Sequence, residues 1–168
     1  MTFPKRSARS IIRTIFSKPV SEATKGPPPI KPPSATSVDI RGSMQLRHVD
    51  AGSCNGCELE IASAFGPTYD APRYGARLVA SPRHADGLLI TGVVTRNMHG
   101  PLVRALAATP QPHVVIACGD CAVNGGMFAD AYGVALRLDQ IVEPDIRIEG
   151  CPPHPNEIIA AFRSLTEL

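Results

Sequence analysis

Five cysteines hold most of the chemistry open to this sequence: Cys54 and Cys57 as a C-x-x-C pair, Cys118 and Cys121 with the same spacing, and Cys151 inside Gly150-Cys151-Pro152-Pro153. Thiolates ligate zinc and iron–sulfur clusters and also do redox chemistry, and an odd count with short C-x-x-C spacing points to these uses sooner than to structural disulfides. Glycine accompanies each site. Gly52 and Gly56 flank the first pair, Gly119 and Gly125-Gly126 the second, and Gly150 precedes Cys151. Lacking Cβ, glycine lets backbone N–H groups approach sulfur, where hydrogen bonds tune a cluster's potential. A buried cluster therefore fits all three segments. A four-cysteine zinc site fits the two pairs, although about sixty residues separate them against the roughly 15–20 of a zinc ribbon. A thioredoxin-like dithiol fits one pair at a strand–helix junction and leaves Cys151 without a role.

The elements that must position these thiols alternate. Met44 to Val49 reads as a strand and Cys57 to Phe65 as a short helix; Arg77 to Ala80 and Gly87 to Thr91 read as strands, the second a continuous apolar run of the kind buried on both faces of a parallel sheet. A helix follows over Met98 to Ala108, then a buried strand over Val114 to Ala117, a partly helical stretch from Met127 to Leu138, a last strand over Ile146 to Ile148 and a helix from Pro155 to Leu165. Such alternation predicts an α/β domain with an open, mostly parallel sheet and helices on both faces. Ligands of these sheets gather beyond the carboxyl ends of the strands, and all five cysteines follow strand exits. The helix starting at Cys57 would also aim its positive end at the site.

Ahead of this domain, assigned to residues 44–168, the composition changes. Residues 1–18 carry Lys5, Arg6, Arg9, Arg13 and Lys18 around Ile11, Ile12, Ile15 and Phe16, a basic amphipathic pattern that suits docking on a membrane surface or a membrane partner, with a plain disordered tail as the other reading. Residues 19–43 form a proline-rich linker built on Pro27-Pro28-Pro29-Ile30-Lys31-Pro32-Pro33. No apolar run approaches the roughly 18–20 residues that cross a bilayer. Neither a secretory signal nor a twin-arginine signal is recognisable, so the cysteines are expected in a reducing cytoplasm. A formal charge of +2 is too small to argue for nucleic acid. Nor is a nucleotide expected on this chain, because Gly125-Gly126 is not followed by Lys-Ser/Thr and no G-x-G-x-x-G occurs.

Taken together, Gly52-Ser53-Cys54-Asn55-Gly56-Cys57-Glu58-Leu59-Glu60-Ile61, Ser81-Pro82-Arg83-His84-Ala85-Asp86, Thr91-Gly92-Val93-Val94-Thr95-Arg96, Gly119-Asp120-Cys121-Ala122-Val123-Asn124-Gly125-Gly126 and Gly150-Cys151-Pro152-Pro153 resemble the 20 kDa subunit family of NADH–quinone oxidoreductase. Within it they look most like the small subunit of membrane-bound, energy-converting [NiFe] hydrogenases of the formate hydrogenlyase and hydrogenase-4 type, whose first two ligand cysteines are separated, whereas quinone-reducing members tend to carry them adjacent. The resemblance implies a flavodoxin-like domain holding one [4Fe–4S] cluster on Cys54, Cys57, Cys121 and Cys151. Cys118 departs from the family pattern and reads as a buried strand-end thiol, with an alternative cluster ligand as the second reading. Glu60 matches a carboxylate that the family places beside the cluster, a candidate proton relay, with an exposed helix-start carboxylate favoured by the dipole as the other reading; Glu58 reads as solvated. His154 reads as an exposed loop histidine.

The implied role is electron relay between a ferredoxin-like iron–sulfur subunit and a large catalytic subunit, of [NiFe] hydrogenase or quinone-site type. Membrane subunits would meet the N-terminal arm at the cytoplasmic face of the membrane. The chain would be part of an oxidoreductase without a complete active site of its own. A non-redox, metal-stabilised assembly scaffold is the contrasting reading.

Overall fold

The computed structural model describes residue 40 and residues 42–167. The arm 1–18 and most of the linker 19–43 lie outside the described residues.

Five parallel strands form the main sheet: β1 (Met44–Asp50), β2 (Ala76–Leu78), β3 (Gly87–Thr91), β5 (Val114–Cys118) and β7 (Ile146–Ile148), in the order β2-β1-β3-β5-β7. This is the flavodoxin-like order, with its switch point between β1 and β3. Every residue of β3 and β5 is buried, as the unbroken apolar runs predict for strands covered on both faces. Alternation along the strands splits the core in two. Met44, Leu46, Leu89 and Ile116 face helices α1 (Gly56–Ala64) and α4 (Pro155–Thr166) through Ile61, Ile158 and Phe162. Val49, Leu88, Ile90 and Val115 face helix α2 (Arg96–Ala108) through Leu102 and Leu106, with Ala122 of the short helix α3 (Asp120–Asn124) on the same side. Ile40 packs into the first cluster and the Gly42 amide donates to the Thr166 carbonyl, so the packed body reaches back beyond Met44.

The stretch expected to be partly helical from 127 to 138 folds otherwise. One 3₁₀ turn covers Gly126–Phe128 and a second opens at Leu138, and between them β6 (Val134–Leu136) pairs antiparallel with β4 (Val94–Thr95) in a separate two-stranded ribbon. Gly125 and Gly126, at φ 92° and 51°, end α3 and turn the chain away from helical geometry.

Candidate metal centre

The loops leaving β1, β3, β5 and β7 meet at the carboxyl edge of the sheet around a cavity of about 110 Å³. Cys54, Cys57, Cys121 and Cys151 line it, with Ser53, Gly92, Asp120 and Pro152 between them. All four are free thiols; Cys54 and Cys151 are exposed at its mouth and Cys57 is buried. The fifth, Cys118, is fully buried at the last residue of β5 and lies in the core behind the wall.

Local chemistry explains why these loops close. Asp50 ends β1, and its Oδ1 accepts from the amides of Gly52 and Ser53 at 2.8 and 2.7 Å, an Asx turn that folds the chain back over the sheet. Gly92 makes room for that turn: a Cβ there would lie 2.3 Å from the Ser53 nitrogen. On the far side, Asp120 Oδ1 accepts from the Gly150 amide at 2.7 Å while the Asp120 amide donates to the Gly150 carbonyl at 2.9 Å, tying the Cys121 and Cys151 loops together. Gly119 sits at φ 88°, ψ 154°, and a Cβ there would lie 2.5 Å from Cys57 Sγ. Only glycine fits that conformation and that approach.

The electrostatics of the wall are those of crowded thiols. Burial pushes the Cys121 thiol up, and negative charge on Cys151, Cys57 and Cys54 pushes it further. Cys57 is held below its ordinary value, chiefly by the hydrogen bond from Cys118, whose own thiol is pushed far up by that bond and by burial. A thiol whose ionisation is opposed by burial and by neighbouring sulfurs, as that of Cys121 is, would be favoured as a thiolate by a cationic partner. Among the described residues, no three His, Cys, Asp or Glu side chains close on one point to hold a single ion. Four thiols lining one cavity of about 110 Å³ are a donor set of the kind that holds an iron–sulfur cluster.

The two carboxylates of α1 differ. Glu60 is half-buried and makes no hydrogen bond or ion pair among the described residues. Glu58 is not solvated as its position suggests: its carboxylate accepts from Ser53 Oγ at 2.7 Å and from Thr91 Oγ1, and Oε1 lies 3.6 Å from His48 Nε2. Helical spacing cannot reveal this, because its three partners come from separate segments. The Asp50-x-Gly52-Ser53 pattern, by contrast, is a local turn signal that sequence reasoning missed. His154 turns out to cap α4. Its Nδ1 accepts from the Asn156 amide at 3.2 Å while Glu157 accepts from its amide.

Residues 54–165 match the family described as NADH ubiquinone oxidoreductase, 20 Kd subunit. Formate hydrogenlyase subunit 7 of Escherichia coli (strain K12) is 46% identical over 123 residues, 73% of this chain and 48% of that protein. The Pyrococcus furiosus protein named probable membrane-bound hydrogenase subunit mbhJ is 46% identical over 112 residues, 67% of either chain. The chain thus spans about half the length of the first of these relatives and two thirds of the second. Among solved structures, a chain of the membrane-bound sulfane sulfur reductase, an archaeal respiratory membrane complex, superposes with a TM-score of 0.66 at 32% identity, covering 76% of this chain and 70% of its own.

Proposed function

The chain belongs to the NADH ubiquinone oxidoreductase 20 kDa subunit family, and from that membership we propose that it binds one [4Fe–4S] cluster on Cys54, Cys57, Cys121 and Cys151 and relays electrons within a membrane-bound [NiFe] hydrogenase complex. The observation that carries this reading is the convergence of those four thiols on one cavity at the carboxyl edge of the sheet. Once bound, the cluster supplies one-electron transfer. The chain's own residues do the rest: Asp50 and Asp120 fix the ligand loops, Gly119 admits the Cys57 sulfur, and the buried Cys118 thiol hydrogen-bonds that sulfur.

Exposed apolar side chains support a large partner subunit packed over the cavity. Leu59, two residues past Cys57, is 64% exposed, and Met127, beside the Gly126 that abuts Cys121, is 80% exposed; Phe128 is exposed with it. Large apolar side chains are left in water at such a place when a partner covers them. The separated Cys54-x-x-Cys57 pair and the identity to formate hydrogenlyase subunit 7 favour a hydrogenase-type partner over a quinone-site one. A ferredoxin-like iron–sulfur subunit supplies or removes the electron on this reading, and the basic arm 1–18 meets membrane subunits at the cytoplasmic face. No helix among the described residues is long and apolar enough to cross a membrane. Glu60, three residues after Cys57 and without a hydrogen-bond or ion-pair partner among the described residues, is the proton relay toward the large subunit.

Anaerobic purification of the membrane complex through a tag on this chain tests the reading, with iron and nickel analysis and D₂ exchange as readouts. Iron at four atoms per cluster, nickel and exchange activity are expected. An iron–sulfur complex without nickel or exchange would replace the hydrogenase by quinone-linked electron transfer. A colourless chain with stoichiometric zinc would overturn the cluster and favour a scaffold.

A further inference from the structure

Thr91, the last residue of β3, has a fully buried side chain that stands between two polar groups from different elements. Its Oγ1 lies 3.0 Å from Nε2 of His48 on β1 and donates to Oε1 of Glu58 on α1. With its one proton given to the carboxylate, the hydroxyl accepts from the imidazole, which places the His48 hydrogen on Nε2. The second carboxylate oxygen of Glu58 accepts from Ser53 Oγ, and that same oxygen of Ser53 accepts from the Asn55 amide at 3.1 Å. The Thr91 carbonyl also accepts from the Ala51 amide at 2.9 Å. One buried residue thus holds both ends of the turn from Ala51 to Glu58, and Cys54 and Cys57 sit on that turn.

We propose that Thr91 is a positioning residue for the metal centre: its hydroxyl pins the carboxylate of Glu58, the residue after Cys57, and thereby keeps a fixed negative charge behind the cavity lining. The inference rests on the cluster reading above. The side chain of Glu58 is only 18% exposed, so a carboxylate oxygen deprived of its donor there is poorly solvated and turns toward water. A carboxylate in water is screened, and its charge opposes the arrival of an electron at the cluster less than a pinned one does. The hydroxyl therefore holds the reduction potential down.

Thr91→Val removes the hydroxyl at nearly constant shape, and Thr91→Ser keeps it. Each is introduced into the full-length chain in its complex, and the cluster is followed by EPR-monitored redox titration beside iron analysis. The Val variant is expected to show a raised midpoint potential and altered EPR g-values at wild-type iron content, with Ser restoring both. Should Val instead lose iron, recovery with Ser supports the same role, and loss in both variants overturns it. Glu58→Gln supplies a second route: it should raise the midpoint too, and combining it with Thr91→Val should add little, because both act on one charge. Fully additive shifts, or a Val variant with the wild-type midpoint and spectrum, would overturn the inference alone. A wild-type complex without any cluster would overturn the cluster reading and this inference with it.

Discussion

The buried Cys118 thiol pairs with Cys57 from behind the cavity wall, and the pairing lowers the Cys57 pKa while raising that of Cys118, so two neighbouring cysteines have opposite roles. Cys57 faces the cavity and is pushed toward its thiolate; Cys118 faces the core and is pushed toward its thiol. A hydrogen bond to a ligating sulfur stabilises the extra charge of a reduced cluster. Cys118→Ala is therefore expected to retain full iron and sulfide content and to lower the midpoint potential, both measurable on the purified complex.

Cys121→Ser gives the opposite pattern. Its sulfur lines the cavity and feels the charges of the other three thiols, so its loss leaves the site one soft ligand short. Iron content and the EPR signal of the reduced cluster should both fall severalfold, as they should for Cys54→Ser and Cys151→Ser. Wild-type iron in any of the three would remove that residue from the ligand set.

How much of this was legible in the sequence depends on how local each signal is. The runs in β3 and β5 contain no polar interruption before Thr91, and the pattern of Ile158, Ile159 and Phe162 repeats at helical spacing, so the central strands and α4 could be read directly. The strand-exit rule also brought four of the five cysteines to one cavity, whereas Cys118 is the last residue of β5 and packs in the core. The β4–β6 ribbon was not readable: two residues at Val94–Thr95 carry no period, and their partners lie some forty residues on. Glu58 escaped for the same reason, since Ser53, Thr91 and His48 become its neighbours only after β1 and β3 pair.

Gly119 offers a test of the cavity's shape. Alanine there must adopt a backbone conformation that non-glycine residues avoid, at a cost of about 1–3 kcal/mol, and its methyl would meet Cys57 Sγ at 2.5 Å. Gly119→Ala should lower the denaturant midpoint of the chain and displace Cys57 enough to reduce iron incorporation. Wild-type iron loading and stability together would show that the loop relaxes freely.

Glu60→Gln tests the relay. The substitution keeps size and removes the transferable proton at a half-buried position that has no other partner among the described residues. Coupled turnover should fall and its pH profile should change shape, while the cluster's EPR spectrum stays as in wild type. A pH profile identical to wild type would end the relay assignment.

Burial lowers the His48 pKa below 6.5, against the opposing pull of the Glu58 and Asp50 carboxylates. The folded chain therefore favours the neutral imidazole, and the unfolded chain takes up a proton first as the solution is acidified. The sign follows from linkage: His48 contributes its full stability above about pH 6.5, loses it as the pH falls through that value, and the loss levels off below the folded pKa. Thr91 Oγ1 accepts a hydrogen bond at this position, so His48→Gln can keep a donor to it without a group that titrates. Urea unfolding of the full-length chain at about pH 7.5 and pH 5.5 should show a smaller drop in midpoint for His48→Gln than for wild type. Equal drops in the two proteins would assign the acid sensitivity to other groups.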